Sequence, residues 1–253
     1  MPLIRPSESI ELKTFKGVSW LALFKFGSQA LSWAATIIVA NLLAPGDYGL
    51  MAMAGLITGY AEIFSELGLG SAIIQKPNVK QLDLSSVFWL SFGVALLFAV
   101  ACFPIAYLTA FVLNEPRVIP ITKTVSIIFL LFGVQVVPFS LLKKNMEFKT
   151  VGFLEMSSTT ISCAGMIIIA YLGGGVWTLI GGRIIRAFFQ LVMVYSFAGW
   201  FPKLHLSLNA AKSYIKFGIT MATGRSLFYI WEQSDKFFAA RMWTVANVGL
   251  YSF

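Results

Sequence analysis

The sequence predicts an all-α integral membrane protein, a polytopic helix bundle. Three observations carry this. Of 253 residues, 58% are hydrophobic and only 12% charged, with a mean hydropathy of +0.80, whereas a soluble domain carries about 25% charged residues. The apolar residues gather into runs long enough to cross a hydrocarbon core about 30 Å thick, which takes roughly 20 residues of helix. The basic residues collect at one set of run ends. Too little polar surface remains to cover a water-facing globule, which argues strongly against a soluble enzyme.

Seven spans are expected, near residues 17–43, 48–74, 86–113, 119–142, 150–172, 175–200 and 214–243. The polar, mixed-charge "MPLIRPSESIELKTFKG" precedes the first and has no signal-peptide cleavage site. Breakers justify each cut in turn. Pro45-Gly46 follows the first span, Lys76-Pro77-Asn78 the second and Asn114-Glu115-Pro116 the third. Lys143-Lys144-Asn145 ends the fourth, Gly173-Gly174-Gly175 the fifth and Phe201-Pro202-Lys203 the sixth. Pro104 and Pro138 fall inside spans, where proline kinks a membrane helix without ending it. The resulting organisation is a cytoplasmic segment 1–16, a six-helix lobe 17–200, a cytoplasmic linker 201–213 and the start of a second lobe at 214–253.

Basic residues near span ends set the orientation. Arg5, Lys13, Lys16, Lys76, Lys80, Lys143, Lys144, Lys149, Lys203, Lys212 and Lys216 share one side; Arg117 and Lys123 stand on the other. The N-terminus is therefore expected in the cytoplasm, with "LAPGDYGL" as an external turn. The net charge of +8 is accounted for by cytoplasmic loops facing anionic headgroups, so no nucleic-acid partner is expected.

The external turn has a distant counterpart. "FKGVSW" opens the first span and "KFGITM" the seventh, and both copies close on Gly-Leu, at Gly49-Leu50 and Gly249-Leu250. Asp47 is matched by Asn247 and Ala40 by Ala240. Both copies start on the basic side, so the repeats are parallel in topology. Transporters are often built from repeated halves with the substrate path between them.

These residues also carry a family resemblance. "KGVSWLALFKFGSQALSWAATIIVANLLAPGDYGLMAMA", followed by "FSELGLGSAIIQK", resembles the start of Wzx-type polysaccharide flippases, in the multidrug/oligosaccharidyl-lipid/polysaccharide exporter superfamily. "WEQSDKFFAARMWTVANVGLYSF" is similar to that family's seventh span, where an Asp-basic pair, here Asp235-Lys236, precedes a Val-Gly-x-Tyr-Ser turn, here Val248 to Ser252. It departs at "RMWTVA", where the family more often has a Leu-Gly-Pro-like turn. The resemblance runs through the chain in span order. Family members have two six-span lobes, which implies one six-span lobe plus the first helix of a second lobe here, an N-terminal fragment whose partner is the missing C-terminal lobe.

The resemblance implies a transporter and no enzyme. Its cargo would be undecaprenyl diphosphate carrying an oligosaccharide repeat unit, moved across the bacterial inner membrane for O-antigen, capsule or exopolysaccharide synthesis. Alternating access would move it, with no cofactor, membrane lipids as surroundings, and coupling to H+ or Na+ left open. One alternative is a cation-coupled multidrug exporter of the same superfamily, whose cavity acids should outnumber its bases. The other is a membrane glycosyltransferase or polymerase, which would normally need a large external loop or soluble domain with paired carboxylates.

Ionisable residues at membrane depth are costly and point to function by default. The candidates for a substrate cavity are Lys25, Gln29, Glu62, Glu66, Arg183, Arg186, Gln190, Arg225, Asp235 and Lys236. They fall on stripes of helical period: Lys25, Gln29, Ser32 and Thr36; Gly55, Gly59, Glu62 and Glu66; Arg183, Arg186 and Gln190. A fourth stripe joins Glu155, Ser158, Thr159 and Ser162. The stripes can face a hydrated path whose arginines fit a diphosphate, since the planar fork matches phosphate oxygens. They can equally form internal ion pairs, such as Lys25 with Glu62 or Glu232 with Lys236.

The remaining features read as structural. Trp20, Tyr48, Trp89, Tyr107, Trp177 and Trp200 fit an interfacial belt. "LGGGVWTLIGG" lacks the Lys-Ser/Thr of a phosphate loop and suits a turn with close helix packing. One histidine and two cysteines without ligand spacing give no metal site.

Overall fold

In the computed structural model, which describes residues 6–66, 69–76 and 79–252, nine helices are joined by short turns. They are α1 (Pro6–Ala40), α2 (Pro45–Glu66), α3 (Leu69–Gln75), α4 (Gln81–Leu113), α5 (Val118–Lys144), α6 (Phe148–Tyr171), α7 (Val176–Ala198), α8 (Leu208–Met242) and α9 (Val245–Ser252). The chain is thus all-α and polytopic.

Five of the described helices are long and apolar enough to cross a membrane: Gly17–Ala40 within α1, and α4, α5, α6 and α7. The second and seventh expected spans are not among them. The second covers α2, as far as Glu66, and α3, from Leu69; Leu67 and Gly68 between them lie outside the described residues. The seventh falls on α8, whose 35 residues include Lys212, Lys216, Arg225, Glu232, Asp235, Lys236 and Arg241.

The other boundaries follow local chemistry. Asn114 ends α4 in the left-handed conformation at φ 53°, and its N–H bonds Ala110 O. Gly199 does the same service after α7 at φ 57°. Helices commonly end this way, because glycine and asparagine bear the left-handed region best. Pro104 and Pro138 lie inside α4 and α5, as expected.

The core gathers where α2, α5 and α7 meet. Leu50, Met53 and Ala54 pack with Ile121, Val125 and Ile128 of α5 and with Ile180 and Ala187 of α7. Around this centre α4 pairs with α5, α6 with α7, and α1 lies on α6. At the lysine-rich end, the segment after α7 is held against the start of α4. Gln81 Nε2 donates to Phe201 O at 3.1 Å and Trp89 Nε1 to Lys203 O at 2.9 Å. Lys203 N–H and Ser207 N–H donate to Ser85 Oγ and Ser86 Oγ, each at 3.0 Å. Trp200 is buried and donates to Gln81 Oε1 at 2.7 Å. Trp89 and Trp200, expected in an interfacial belt, fasten this linker.

The two repeats meet each other at the opposite end. Their turns are the same turn capped from opposite directions. In the first, Asp47 reaches back, its Oδ2 accepting from Ala44 N–H at 3.1 Å; in the second, Thr244 Oγ1 accepts from Asn247 N–H at 3.4 Å. Both are halves of a capping box. Beyond the turns, α2 packs on α9. A methyl group on Gly49 would overlap the Val245 carbonyl oxygen, and one on Gly249 would overlap the Pro45 carbonyl oxygen. Each glycine thus lies under the carbonyl one helical turn before the other glycine. That reciprocity defines a local pseudo-two-fold axis between the repeats, and it explains why both copies keep glycine at this position.

Candidate functional site

The described helices enclose a groove along α5 and α7. On α5, Ile128, Phe132, Gln135, Phe139 and Lys143 recur at intervals of three or four residues, which puts them on one helical face. On α7, Arg183, Arg186 and Gln190 do the same. The two faces meet around two cavities. One, of about 380 Å³, is lined by Ile128, Phe132, Arg183, Arg186, Ala187 and Gln190. The other, of about 210 Å³, is lined among others by Gly70, Ser71, Gln135, Ser140, Lys143 and Gln190. Phe132 and Gln190 belong to both, so the cavities join end to end. At 1.5 Å per residue, Ile128 to Lys143 spans roughly 22 Å of helix, a large part of a bilayer core.

The groove is graded in chemistry. Arg183 and Arg186 occupy the half farther from the lysine-rich loops, and both are exposed. Lys143 stands in the last turn of α5, its amine 4.3 Å from the centre of the Phe139 ring. Between the cations lie Gln190, Gln135 and Ser140, with Phe132. Adjacent Lys144 is structural: it donates to Ile73 O at 3.1 Å and to Lys76 O, closing the end of α3. A cation in hydrocarbon costs about 2.5–3.5 kcal/mol on insertion scales, so arginines on such a wall need water or a polar partner, on the protein or on a cargo.

Gln135 was not anticipated from the sequence. It is buried at 5% exposure, and its carboxamide oxygen accepts no hydrogen bond from any described residue. A buried acceptor left unpaired costs roughly 1–3 kcal/mol. It sits in "FGVQVVPF", where no second polar residue at helical spacing singled it out; only the α7 and α3 neighbours make it a groove residue.

The other candidates divide. Arg183, Arg186 and Gln190 come together on one wall. Lys25 and Gln29 are exposed on α1 and do not line this groove. The side chains of Glu62, Glu66 and Arg225 lie outside the described residues. Lys236 is half-buried on α8. Asp235 is tied to the repeat: Tyr251 Oη donates to its Oδ2 at 2.6 Å, and Lys236 N–H to its Oδ1 at 2.8 Å. This bond joins the Asp-basic pair to Tyr251, which lies in α9 and not in the turn expected at Val248 to Ser252, a link that their separation in sequence does not reveal.

Two expected stripes are partly packing seams. On α6, Ser158, Thr159 and Ser162 are buried; Ser158 and Thr159 bond their own helix, and Ser162 Oγ donates to Gly182 O of α7 at 2.7 Å. Small residues let these backbones approach, as a methyl on Gly182 would strike Met166. On α2, Tyr229 of α8 covers Gly59 and donates to Gly55 O at 3.0 Å.

Long apolar helices joined by short turns, around a groove lined with cations and carboxamides, make this a multi-pass membrane protein. The chain belongs to the family described as Polysaccharide biosynthesis protein, which matches residues 38–253. It is 25% identical over 237 residues to the succinoglycan biosynthesis transport protein ExoT of Rhizobium meliloti (strain 1021), covering 94% of this chain and 48% of that one. It is 24% identical to the lipopolysaccharide biosynthesis protein WzxC of Escherichia coli (strain K12), covering 96% and 50%. It is 18% identical to the teichuronic acid biosynthesis protein TuaB of Bacillus subtilis (strain 168), covering 96% and 51%. The chain thus spans about half the length of the curated relatives it matches. No solved structure matches it. The resemblance read from the sequence leads to this same family; all three relatives are named for biosynthesis, and ExoT also for transport.

Proposed function

We propose that this chain supplies the first lobe and the opening helices of a flippase for undecaprenyl-diphosphate-linked oligosaccharide. It would work in the bacterial inner membrane with its lysine-rich loops in the cytoplasm. The observation that carries the proposal is the groove wall of Arg183, Arg186 and Gln190, continuous with Lys143. Arginine's fork suits a diphosphate, and the apolar helices leave an isoprenoid tail in lipid. A multidrug exporter for hydrophobic cations would want acids there, yet none of the described lining residues of these two cavities is acidic. No bond is made or broken; the work is alternation between two packings of the lobes, biased by cargo. The greater length of the relatives leaves room for a second lobe, and the Gly49–Gly249 contact supports its arrangement about the same axis.

The test is substitution at the gene's own locus. Arg183→Ala and Arg186→Ala are expected to abolish surface-polysaccharide export at near-normal membrane abundance. Arg→Lys is expected to restore only part, since an ammonium keeps charge but loses the bidentate fork. A structural ion pair gives a different pattern: abundance falls with export, and removing the acidic partner as well rescues both. Such a rescue would end the headgroup role.

A further inference from the structure

We infer that Gln135 is a specificity-determining residue that reads the carbohydrate of the cargo. This rests on the proposed flippase function and concerns the stretch of the groove that has no charge. A diphosphate needs cations, and Arg183 and Arg186 provide them at one end of the groove. Farther along come Gln190 and then Gln135, about 11 Å along their helices from Arg183 and Ile128 respectively. Lys143 stands beyond them, eight residues past Gln135. A headgroup whose anion lies at the arginines therefore extends its neutral part along these carboxamides.

The chemistry of that stretch fits hydroxyls and acetamido groups. A carboxamide both donates and accepts, as a sugar hydroxyl does, and Ser140 Oγ on the same wall can accept in addition to the bond it donates to Val136 O at 2.6 Å. Phe132 and Phe139 add apolar faces beside them. Gln135 is the decisive member. It is 95% buried in an otherwise apolar helix segment, it lines the cavity, and its oxygen accepts from no described residue. Packing would favour leucine or methionine here. The unpaired acceptor at this depth is matched by a donor on the cargo, and a site built to bond a hydroxyl rejects cargo that lacks one.

The experiment is equilibrium binding to the protein, expressed from its own gene and held in lipid nanodiscs, with two probes. One is bare undecaprenyl diphosphate; the other is the glycan-bearing undecaprenyl diphosphate extracted from the source bacterium. Gln135→Met, which preserves length, and Gln135→Leu are expected to weaken binding of the glycan-bearing lipid roughly tenfold, the scale of one hydrogen bond, while bare undecaprenyl diphosphate binds as before. Arg186→Ala is expected to weaken both probes. Equal loss of both probes in the Gln135 variants, or no loss of either, overturns the inference, and so does a lowered melting temperature that accounts for the loss. Unchanged binding of both probes by Arg186→Ala instead refutes the diphosphate reading of the arginines, with the Gln135 comparison still standing. Failure of the unsubstituted protein to bind the glycan-bearing lipid overturns both.

Discussion

Replacing Gly49 by alanine tests the crossing of the two repeats, because two effects of opposite sign compete there. In an ordinary helix interior, Gly→Ala stabilises by up to about 1 kcal/mol through propensity. At Gly49 the new methyl would overlap the Val245 carbonyl, which belongs to the backbone of α9 and cannot swing aside as a side chain can. Overpacking of this kind costs about 1–3 kcal/mol, so the net change is destabilising by up to about 2 kcal/mol. Gly55, in the same helix, has nothing within 4 Å of its would-be Cβ, so Gly55→Ala is the internal control and is expected to stabilise. The assay is thermal unfolding in detergent, followed by loss of the monodisperse peak, with both variants and Gly249→Ala. Gly249→Ala should resemble Gly49→Ala, and the double variant should fall short of additivity, since both methyls disrupt one contact. A Gly49→Ala protein as stable as Gly55→Ala would refute the close crossing.

Two further outcomes follow from charge. Cysteines introduced at Asn145 and Asn209 should be shielded from an impermeant thiol reagent in intact cells, while one at Gly46 should be labelled; labelling at Asn145 would reverse the orientation. In the turn before α5, Arg117 Nε donates to Glu115 Oε1 at 2.8 Å and holds the Glu115 carboxyl below its usual range, chiefly through the side-chain hydrogen bond. A depressed carboxyl stabilises above its unfolded pKa of about 4.3 and loses that contribution as pH falls through the folded value. With Arg117 65% exposed, screening limits the pair to under about 1 kcal/mol. Arg117→Gln should therefore raise the Glu115 titration seen by NMR while barely changing stability at neutral pH; an unmoved titration would deny the pairing.

What the sequence made legible depended on how local the cause was. Spans four to six were readable to within two residues because Lys143-Lys144-Asn145, Gly173-Gly174-Gly175 and Phe201-Pro202-Lys203 mark the helix ends locally. Met146, with φ 58°, does the same work as a glycine and gives no such notice. The stripe on α6 was real, but periodicity states only which residues share a face, not what lies opposite. Ser162 found a backbone carbonyl, whereas Arg186 found a cavity. Gln135 could not be singled out at all, since its meaning comes from Gln190 and Ser71 on other helices. The Gly49 and Gly249 match was visible as a repeat, yet their reciprocal contact required three dimensions.

The central claim is movement of a lipid-linked glycan between leaflets. Its most direct test is reconstitution of the protein, expressed from its own gene, into liposomes carrying glycan-bearing undecaprenyl diphosphate in both leaflets. An impermeant periodate treatment then oxidises only the outer glycans. The account predicts that the protected inner pool drains outward with the protein present, and stays protected when Arg183 and Arg186 are both alanine. An inner pool that remains protected with the unsubstituted protein, in liposomes where its insertion is verified, would contradict it.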